Sequence, residues 1–98
     1  ALLQFEEVDG VMIGPYDISG SLGIPGKIDH PSVQDAGQRV VEACRKFKKA
    51  CGTQDIDPTR KSVQKAIEAG YTFVVLASDV FILWKWGERM QKLTDSCR

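Results

Sequence analysis

The sequence predicts an α/β fold built around a parallel sheet. Its 98 residues alternate between short apolar runs and amphipathic segments, in the order helix end, strand, helix, strand, helix, strand, helix. Residues 71–77 (Tyr-Thr-Phe-Val-Val-Leu-Ala) are nearly all apolar or β-branched, which is typical of a strand covered by helices on both faces. Strict alternation of strands and helices indicates parallel strands joined by right-handed crossovers.

The first 30 residues are predicted to contain one short strand. Residues 1–7 are expected to end a helix, and residues 9–14 form a short apolar run bounded by glycine, which suits a buried strand. A loop rich in Gly, Ser and Pro is expected over residues 15–29.

A long amphipathic helix is predicted to begin at Pro31. Proline suits the first helical position because its missing N–H needs no partner there, and His30 or Asp29 can act as the cap. Apolar residues at three- and four-residue steps predict its inward face: Val33, Ala36, Val40, Cys44 and Phe47.

The remaining elements follow the same pattern. A strand is predicted over residues 50–56, and Asp57-Pro58 repeats the cap-plus-proline start before a helix over residues 61–69 with Val63, Ala66 and Ile67 inward. Gly70 supplies a left-handed stop. After the strand at 71–77, Ser78 or Asp79 is expected to cap a last helix that runs to about Thr94.

The length favours part of a larger sheet. A (β/α)8 barrel has about 250 residues, so three of its units need about 93. A three-stranded parallel sheet alone leaves both edge strands open, which folded proteins avoid. We therefore expect residues 1–98 to be part of one (β/α)8-barrel domain, and a piece of a doubly wound sheet remains the alternative.

Composition excludes several function classes. The formal net charge is zero and no basic stripe is present, so we expect no nucleic-acid partner. No run reaches the roughly 18 apolar residues of a membrane helix. Three cysteines without a C-x-x-C pair argue against a disulfide framework or a zinc site and favour a cytoplasmic setting. The N-terminus lacks Met and a signal-peptide pattern, and it resembles a cut through a helix.

Three aspartates are expected at the carboxyl ends of the strands, where α/β folds bind ligands. Asp79 directly precedes a helix and is expected to cap it, and Asp55 is expected to be a solvated loop carboxylate. For Asp17, loop hydrogen bonding and metal or catalytic work are equally open. His30 is expected to be a cap or surface residue, which leaves no Ser-His or Cys-His pair. The glycine-rich segment 20–26 matches no phosphate-binding motif and is expected to be a shaped loop.

The last helix begins with five consecutive apolar residues, which cover every side of a helix. Such a helix is buried all round or pressed against a partner, so core packing and a subunit contact both remain open. The candidate interface residues are Val80, Phe81, Trp84 and Trp86.

The segment Val11-Met-Ile-Gly-Pro-Tyr-Asp-Ile-Ser19, with 20–26 and His30-Pro-Ser-Val33, resembles the HpcH/HpaI aldolase family. Its pattern is a G-P-x-D-L-S stretch, then S-x-G, then a Pro-Gly segment leading into a helix. The resemblance covers nearly the whole chain but only the C-terminal part of the family's barrel. It therefore implies that the chain is the last three βα units.

The resemblance also implies an activity. Members are metal-dependent class II aldolases that cleave 4-hydroxy-2-oxo acids to pyruvate and an aldehyde. Asp17 would be one of two carboxylates that hold Mg2+, Mn2+ or Co2+, which prefer oxygen ligands. Gly14, Pro15, Tyr16 and Asp17 would shape the pocket for the pyruvate carboxylate, and the metal would stabilise the pyruvate enolate.

The family's second metal carboxylate, catalytic histidine and catalytic arginine have no counterpart in these residues, so we expect the chain alone to be inactive. The resemblance implies a homo-oligomer in which the last helix is exchanged. Tyr16 and Gly52-Thr-Gln-Asp55 depart from the family's pattern, which leaves the substrate open. Two other functions remain: a citrate-lyase-β-like lyase acting on a CoA thioester, and a non-enzymatic interaction piece that uses the Trp helix.

Overall fold

The computed structural model describes all 98 residues as a three-stranded parallel sheet with helices. The strands lie in the order β1-β2-β3. The elements in chain order are a 3-10 turn at Leu2–Gln4, β1 at Gly10–Met12, α1 at Pro15–Ser21, α2 at Pro31–Phe47, β2 at Ala50–Asp55, α3 at Arg60–Glu68, β3 at Phe73–Leu76 and α4 at Asp79–Ser96. The predicted α/β class with a parallel sheet is confirmed, and the arrangement is consistent with part of a barrel.

Strand register separates the sheet into a covered face and an open face. Val11 pairs with Cys51 in the parallel ladder, and both side chains contact the core under α2. Side chains alternate along a strand, so the next positions lie on the opposite face. There Gly52 pairs with Phe73, and Gln54 pairs with Val75. We call this second side the open face: Met12, Gly52, Gln54, Phe73 and Val75.

The open face has little to cover it. Met12 is 48% exposed and Phe73 is 40% exposed. Parallel sheets are normally covered on both faces. In a closed barrel, this face would form the interior.

The core is correspondingly small. Eleven of the 98 residues are buried, and Val41, Cys44 and Cys51 are the most enclosed apolar side chains. The radius of gyration is 16.6 Å, compared with about 13 Å for a compact domain of this length. The sheet and α2 therefore form a nucleus too small to cover the apolar surface that the chain carries.

The two core cysteines lie side by side. Burial raises the pKa of the Cys51 thiol to about 11, and the neighbouring Cys44 thiol adds to the effect. The Cys51 thiol therefore stays protonated at neutral pH, and the two buried side chains pack as small apolar groups. Cys97 is exposed.

Several helix signals are confirmed. The His30 Nδ1 atom accepts a hydrogen bond from the Ser32 N–H at 3.2 Å and caps α2. Gly70 adopts a φ of 104° after α3. Its N–H donates to the Ile67 carbonyl, and the next N–H, of Tyr71, donates to the Ala66 carbonyl. These two bonds satisfy the carbonyls at the helix end in the Schellman arrangement.

Four predictions about local structure are wrong. The expected loop at 15–29 begins with a helix, α1, because Pro15 takes a first helical position. Residues 1–7 form only a single 3-10 turn that ends in extended backbone at Phe5. The cap of α3 is Thr59 rather than Asp57, because Thr59 and Ser62 form a reciprocal capping box. The cap of α4 is Ser78, one of the two residues predicted, so only the expectation that Asp79 caps the helix is wrong; the Asp79 carboxylate accepts from the Val80 N–H at 2.9 Å.

The inward faces of two helices differ in part from the prediction. On α2, Val33 and Cys44 are buried as predicted, and Gly37 and Val41 are buried as well. Phe47, in contrast, is 40% exposed. On α3, Ile67 is 61% exposed because no element covers that side of the helix.

Gly70→Ala is expected to destabilise the fold by roughly 1–2 kcal/mol, because a left-handed residue with a side chain is strained. The added Cβ would also lie 2.7 Å from the Val41 Cγ1 atom. Urea unfolding of the longest natural polypeptide that carries this sequence measures the change. Gly20→Ala in α1 is the matched control, because its Cβ would meet nothing within 4 Å. Equal effects of the two substitutions would contradict the assignment.

Candidate functional site

The end of β1 directs the chain into α1. The sheet pairing continues past Met12, because the Ile13 N–H donates to the Gly52 carbonyl at 2.9 Å. The chain then turns at Gly14, and Pro15 begins the helix. Asp17 therefore lies in the first helical turn, directly beyond the carboxyl end of β1.

The Asp17 carboxylate folds back over Gly14. A Cβ on Gly14 would lie 2.5 Å from the Asp17 Oδ2 atom, so this position of the carboxylate requires glycine at 14. None of the hydrogen bonds and ion pairs of the chain involves the Asp17 side chain. A carboxylate in the first turn is stabilised by the helix dipole, and its oxygens remain available to a ligand.

A cleft of about 290 Å³ opens beside this carboxylate at the carboxyl edge of the sheet. Gln54 of β2 and Ile56, just after the strand, line it. The remaining lining residues come from β1 and the start of α1: Met12, Ile13, Gly14, Pro15, Tyr16 and Asp17. The structure thus brings the four predicted site residues, 14–17, to one cleft.

Ser19 holds the turn and the loop after it together. Its side chain is completely buried, its Oγ donates to the Tyr16 carbonyl at 2.6 Å, and the Oγ accepts from the Gly26 N–H at 3.0 Å. One hydroxyl therefore holds the loop that follows α1, while residues 20 and 21 of the predicted loop belong to the helix. Sequence reasoning assigned Ser19 no role, although the serine of the G-P-x-D-x-S pattern was the available signal.

The other two aspartates do not reach the cleft. The Asp55 carboxylate accepts hydrogen bonds from the Ser62 hydroxyl and from the Asp57 N–H, which ties the end of β2 to the start of α3. Asp79 bonds to its own neighbour at the start of α4. Both carboxylates serve local structure, and Asp55 is a half-buried, hydrogen-bonded strand residue rather than the solvated loop carboxylate that was predicted.

The residues present supply only part of a cation site. An unpaired carboxylate suits a hard divalent cation, and Asp17 meets that requirement. No group of three or more His, Cys, Asp or Glu side chains could hold a metal ion in this chain. Asp17 alone therefore does not make a cation site.

Gln54 is a second site residue that the sequence analysis did not single out. Its Nε2 donates to the Ala77 carbonyl at 3.2 Å, and it also lines the Asp17 cleft. Ala77 adopts a left-handed φ of 60°. The sequence feature that could have indicated Gln54 is a polar residue two positions after Gly52, on the open face of the sheet.

The predicted interface residues lie on α4, which has no buried residue. Val80 is 66% exposed, Trp84 is 58% exposed and Trp86 is 54% exposed, whereas Phe81 is half-buried. Lys85 forms an ion pair with Asp57 at 3.3 Å, which connects α4 to the loop before α3. No helix of the chain has an apolar stretch suited to crossing a lipid bilayer.

Comparison with known proteins gives one consistent result. A model of the family described as HpcH/HpaI aldolase/citrate lyase matches residues 1–85. A 2-keto-3-deoxy-L-rhamnonate aldolase of Salmonella dublin is 42% identical over 86 residues, which are 84% of this chain and 30% of that protein. A protein of the same name from Salmonella typhimurium is 41% identical over 86 residues, with the same coverage of both proteins.

Two solved structures are similar over almost the whole chain. The HpcH/HpaI aldolase of Desulfitobacterium hafniense has a TM-score of 0.84 and 27% identity, covering 95% of this chain and 36% of that one. A HpcH/HpaI aldolase/citrate lyase family protein of Burkholderia cenocepacia has a TM-score of 0.84 and 29% identity, covering 96% and 36%. The chain thus spans about a third of the length of the proteins it matches.

Ser19→Ala is expected to destabilise the protein by about 1–3 kcal/mol, because it leaves the Gly26 N–H without its partner. Thermal unfolding measures the loss in the longest natural polypeptide. Ser21→Ala removes an exposed hydroxyl from the same helix and should change little. A Ser19→Ala variant as stable as Ser21→Ala would show that the buried hydroxyl does not organise the turn.

The 98-residue chain alone is expected to bind Mn2+ only weakly, because one carboxylate and water make a poor site. Titration followed by the electron paramagnetic resonance signal of free Mn2+ measures the affinity. Tight binding of one ion per chain would contradict this prediction.

Proposed function

We propose that this chain, which belongs to the HpcH/HpaI aldolase/citrate lyase family, is the C-terminal part of a metal-dependent aldolase. The reaction is cleavage of 4-hydroxy-2-oxo acids to pyruvate and an aldehyde. Residues 1–98 would be the last three βα units of one (β/α)8 barrel, and the open face would line its interior.

The single observation that carries this proposal is the unpaired Asp17 carboxylate on a cleft at the carboxyl edge of the sheet. Barrel enzymes build their sites at this edge. Asp17 would be one ligand of Mg2+, Mn2+ or Co2+, and Gly14, Pro15 and Tyr16 would enclose the carboxylate of the 2-oxo acid. A bound cation would supply Lewis-acid stabilisation of negative charge on the substrate.

The chain's own residues would position the substrate rather than move protons. Tyr16 is 46% exposed and lines the cleft together with the apolar residues Met12 and Ile13. Ser19 would keep the turn rigid. The second metal carboxylate and the proton-transferring groups must come from residues outside this sequence.

Asp17→Ala is expected to reduce pyruvate release from a 4-hydroxy-2-oxo acid by at least a hundredfold, because the site loses a cation ligand. The assay uses the longest natural polypeptide with Mn2+ and then with EDTA, which should also abolish release. Asp55→Ala is the matched control, since that carboxylate bonds to Ser62 rather than facing the cleft. Full activity in Asp17→Ala would refute the role of this residue.

A lyase acting on a CoA thioester is the second candidate, because the matching family description covers both aldolases and citrate lyases. The same polypeptide would then release no pyruvate from several 4-hydroxy-2-oxo acids, but it would cleave a 3-hydroxyacyl thioester of CoA.

We further propose a homo-oligomer in which α4 is exchanged between subunits. Two apolar surfaces support it: the exposed helix itself, and a groove lined in part by Val63, Ile67 and Leu76 between α3 and β3. Leu76 is 57% exposed. An α4 from a second subunit would cover a surface of this kind.

Trp84→Asp is expected to dissociate that oligomer, because it places a charge in the apolar contact. Light scattering after size-exclusion chromatography gives the mass. Lys92→Asp, on the same helix, serves as the control for added acidic charge. An unchanged mass for Trp84→Asp would contradict helix exchange, whereas a stable oligomer of inactive protein would favour a non-enzymatic interaction role.

A further inference from the structure

A second cavity, of about 250 Å³, lies between α2 and α3 on the side of the sheet that the helices cover. Thr53 and Asp55 of β2 line it, together with residues of α3 and the residue Tyr71 before β3. Because side chains alternate along a strand, Thr53 and Asp55 lie on the same face as Cys51, which packs in the core under α2. Elements of this sequence therefore form the walls of the cavity, in contrast to the open face.

Thr53 contributes a hydroxyl group to this cavity. The residue is only 8% exposed, and its side chain takes part in none of the hydrogen bonds of the chain. Every completely enclosed polar side-chain atom has a partner, so the Thr53 Oγ1 atom must be open to the cavity that the residue lines. This hydroxyl therefore gains a partner only from a molecule that enters the cavity.

Tyr71 contributes a second hydroxyl group. Glycine at position 37 of α2 makes room for it, because a Cβ on Gly37 would lie 3.0 Å from the Tyr71 phenol oxygen. Burial raises the pKa of the Tyr71 phenol, and the neighbouring Cys51 adds to the effect, so the phenol stays neutral at ordinary pH. The hydroxyl groups of Thr53 and Tyr71 can each donate one hydrogen bond and accept others.

The charged groups at the cavity favour an uncharged ligand. The Asp55 carboxylate accepts hydrogen bonds from the Ser62 hydroxyl and the Asp57 N–H. Lys65 of α3 lines the same cavity and forms no ion pair, because both ion pairs of the chain involve Lys85. An anion would meet the Asp55 carboxylate, and a cation would meet the Lys65 ammonium group. A neutral ligand avoids both repulsions and the high desolvation cost of an ion.

We propose that the cavity between α2 and α3 binds a small uncharged polyhydroxy compound through the hydroxyl groups of Thr53 and Tyr71. A water molecule takes up about 30 Å³ of liquid, so the cavity has room for about eight of them. Sites for drug-sized ligands begin at about 300 Å³, so the ligand has only a few carbon atoms. This binding does not require the proposed aldolase function.

The cavity adjoins the Asp17 cleft, and the two can be told apart by substitution. Tyr16 and Gln54 line both of them. Thr53 lines the cavity but not the cleft, whereas Asp17 lines the cleft but not the cavity. A ligand of the cavity should therefore depend on Thr53 and be indifferent to Asp17.

The test measures binding of erythritol by saturation-transfer difference nuclear magnetic resonance to the longest natural polypeptide that carries this sequence. EDTA is present, so that no divalent cation takes part. We expect a saturable signal whose Kd rises about fivefold in Thr53→Val, because the variant keeps the shape and loses one hydrogen bond. Tyr71→Phe should have a similar effect. Thr94→Val, which alters an exposed hydroxyl on α4, is the matched control and should leave the Kd unchanged.

Four results would overturn the proposal. The absence of a saturable erythritol signal would mean that the cavity holds water only. A Kd unchanged in both Thr53→Val and Tyr71→Phe would place the ligand elsewhere, and a signal lost in Asp17→Asn would place it in the cleft. Tighter binding of acetate or glycine than of erythritol would show that charge, not hydroxyl groups, selects the ligand.

Discussion

The requirement that a parallel sheet be covered on both faces governs this structure. One face of the sheet is buried against α2 through Val41, Cys44 and Cys51, and the other carries Met12, Phe73 and Val75 towards solvent. Helix α4 leaves its apolar residues exposed as well. The nucleus therefore holds the strands in register, while the open face and much of α4 remain uncovered.

The same register creates the candidate site. Because β1 and β2 are parallel, their carboxyl ends meet at one edge of the sheet. The hydrogen bond from the Ile13 N–H to the Gly52 carbonyl is the last one before the chain turns into α1. Asp17 and Gln54 reach one cleft for this reason. Two hydrogen bonds each fix the neighbouring residues Ser19 and Ala77. The candidate site is therefore supported by hydrogen-bonded backbone rather than by mobile loops.

Periodicity and proline signals predicted the element order because they report local physics. Pro31 and Gly70 mark helix ends whatever surrounds them. The errors arose where contacts with other parts of the chain determine the local structure. Helix α1 is short and closed by the buried Ser19 hydroxyl, which no local pattern reveals, and Gln54 became a site residue only when its hydrogen bond to Ala77 was visible. The metal role proposed for Asp17 comes from its motif, since spacing alone left its role open.

The most direct test of the account asks whether the Asp17 cleft activates pyruvate, independently of any aldehyde. Nuclear magnetic resonance can follow exchange of the pyruvate methyl protons for deuterium in D2O with the longest natural polypeptide and Mg2+. The account predicts rapid exchange that is lost in Asp17→Asn and retained in Asp55→Asn. Exchange that persists unchanged in Asp17→Asn, or its absence from the folded wild-type protein, would contradict it.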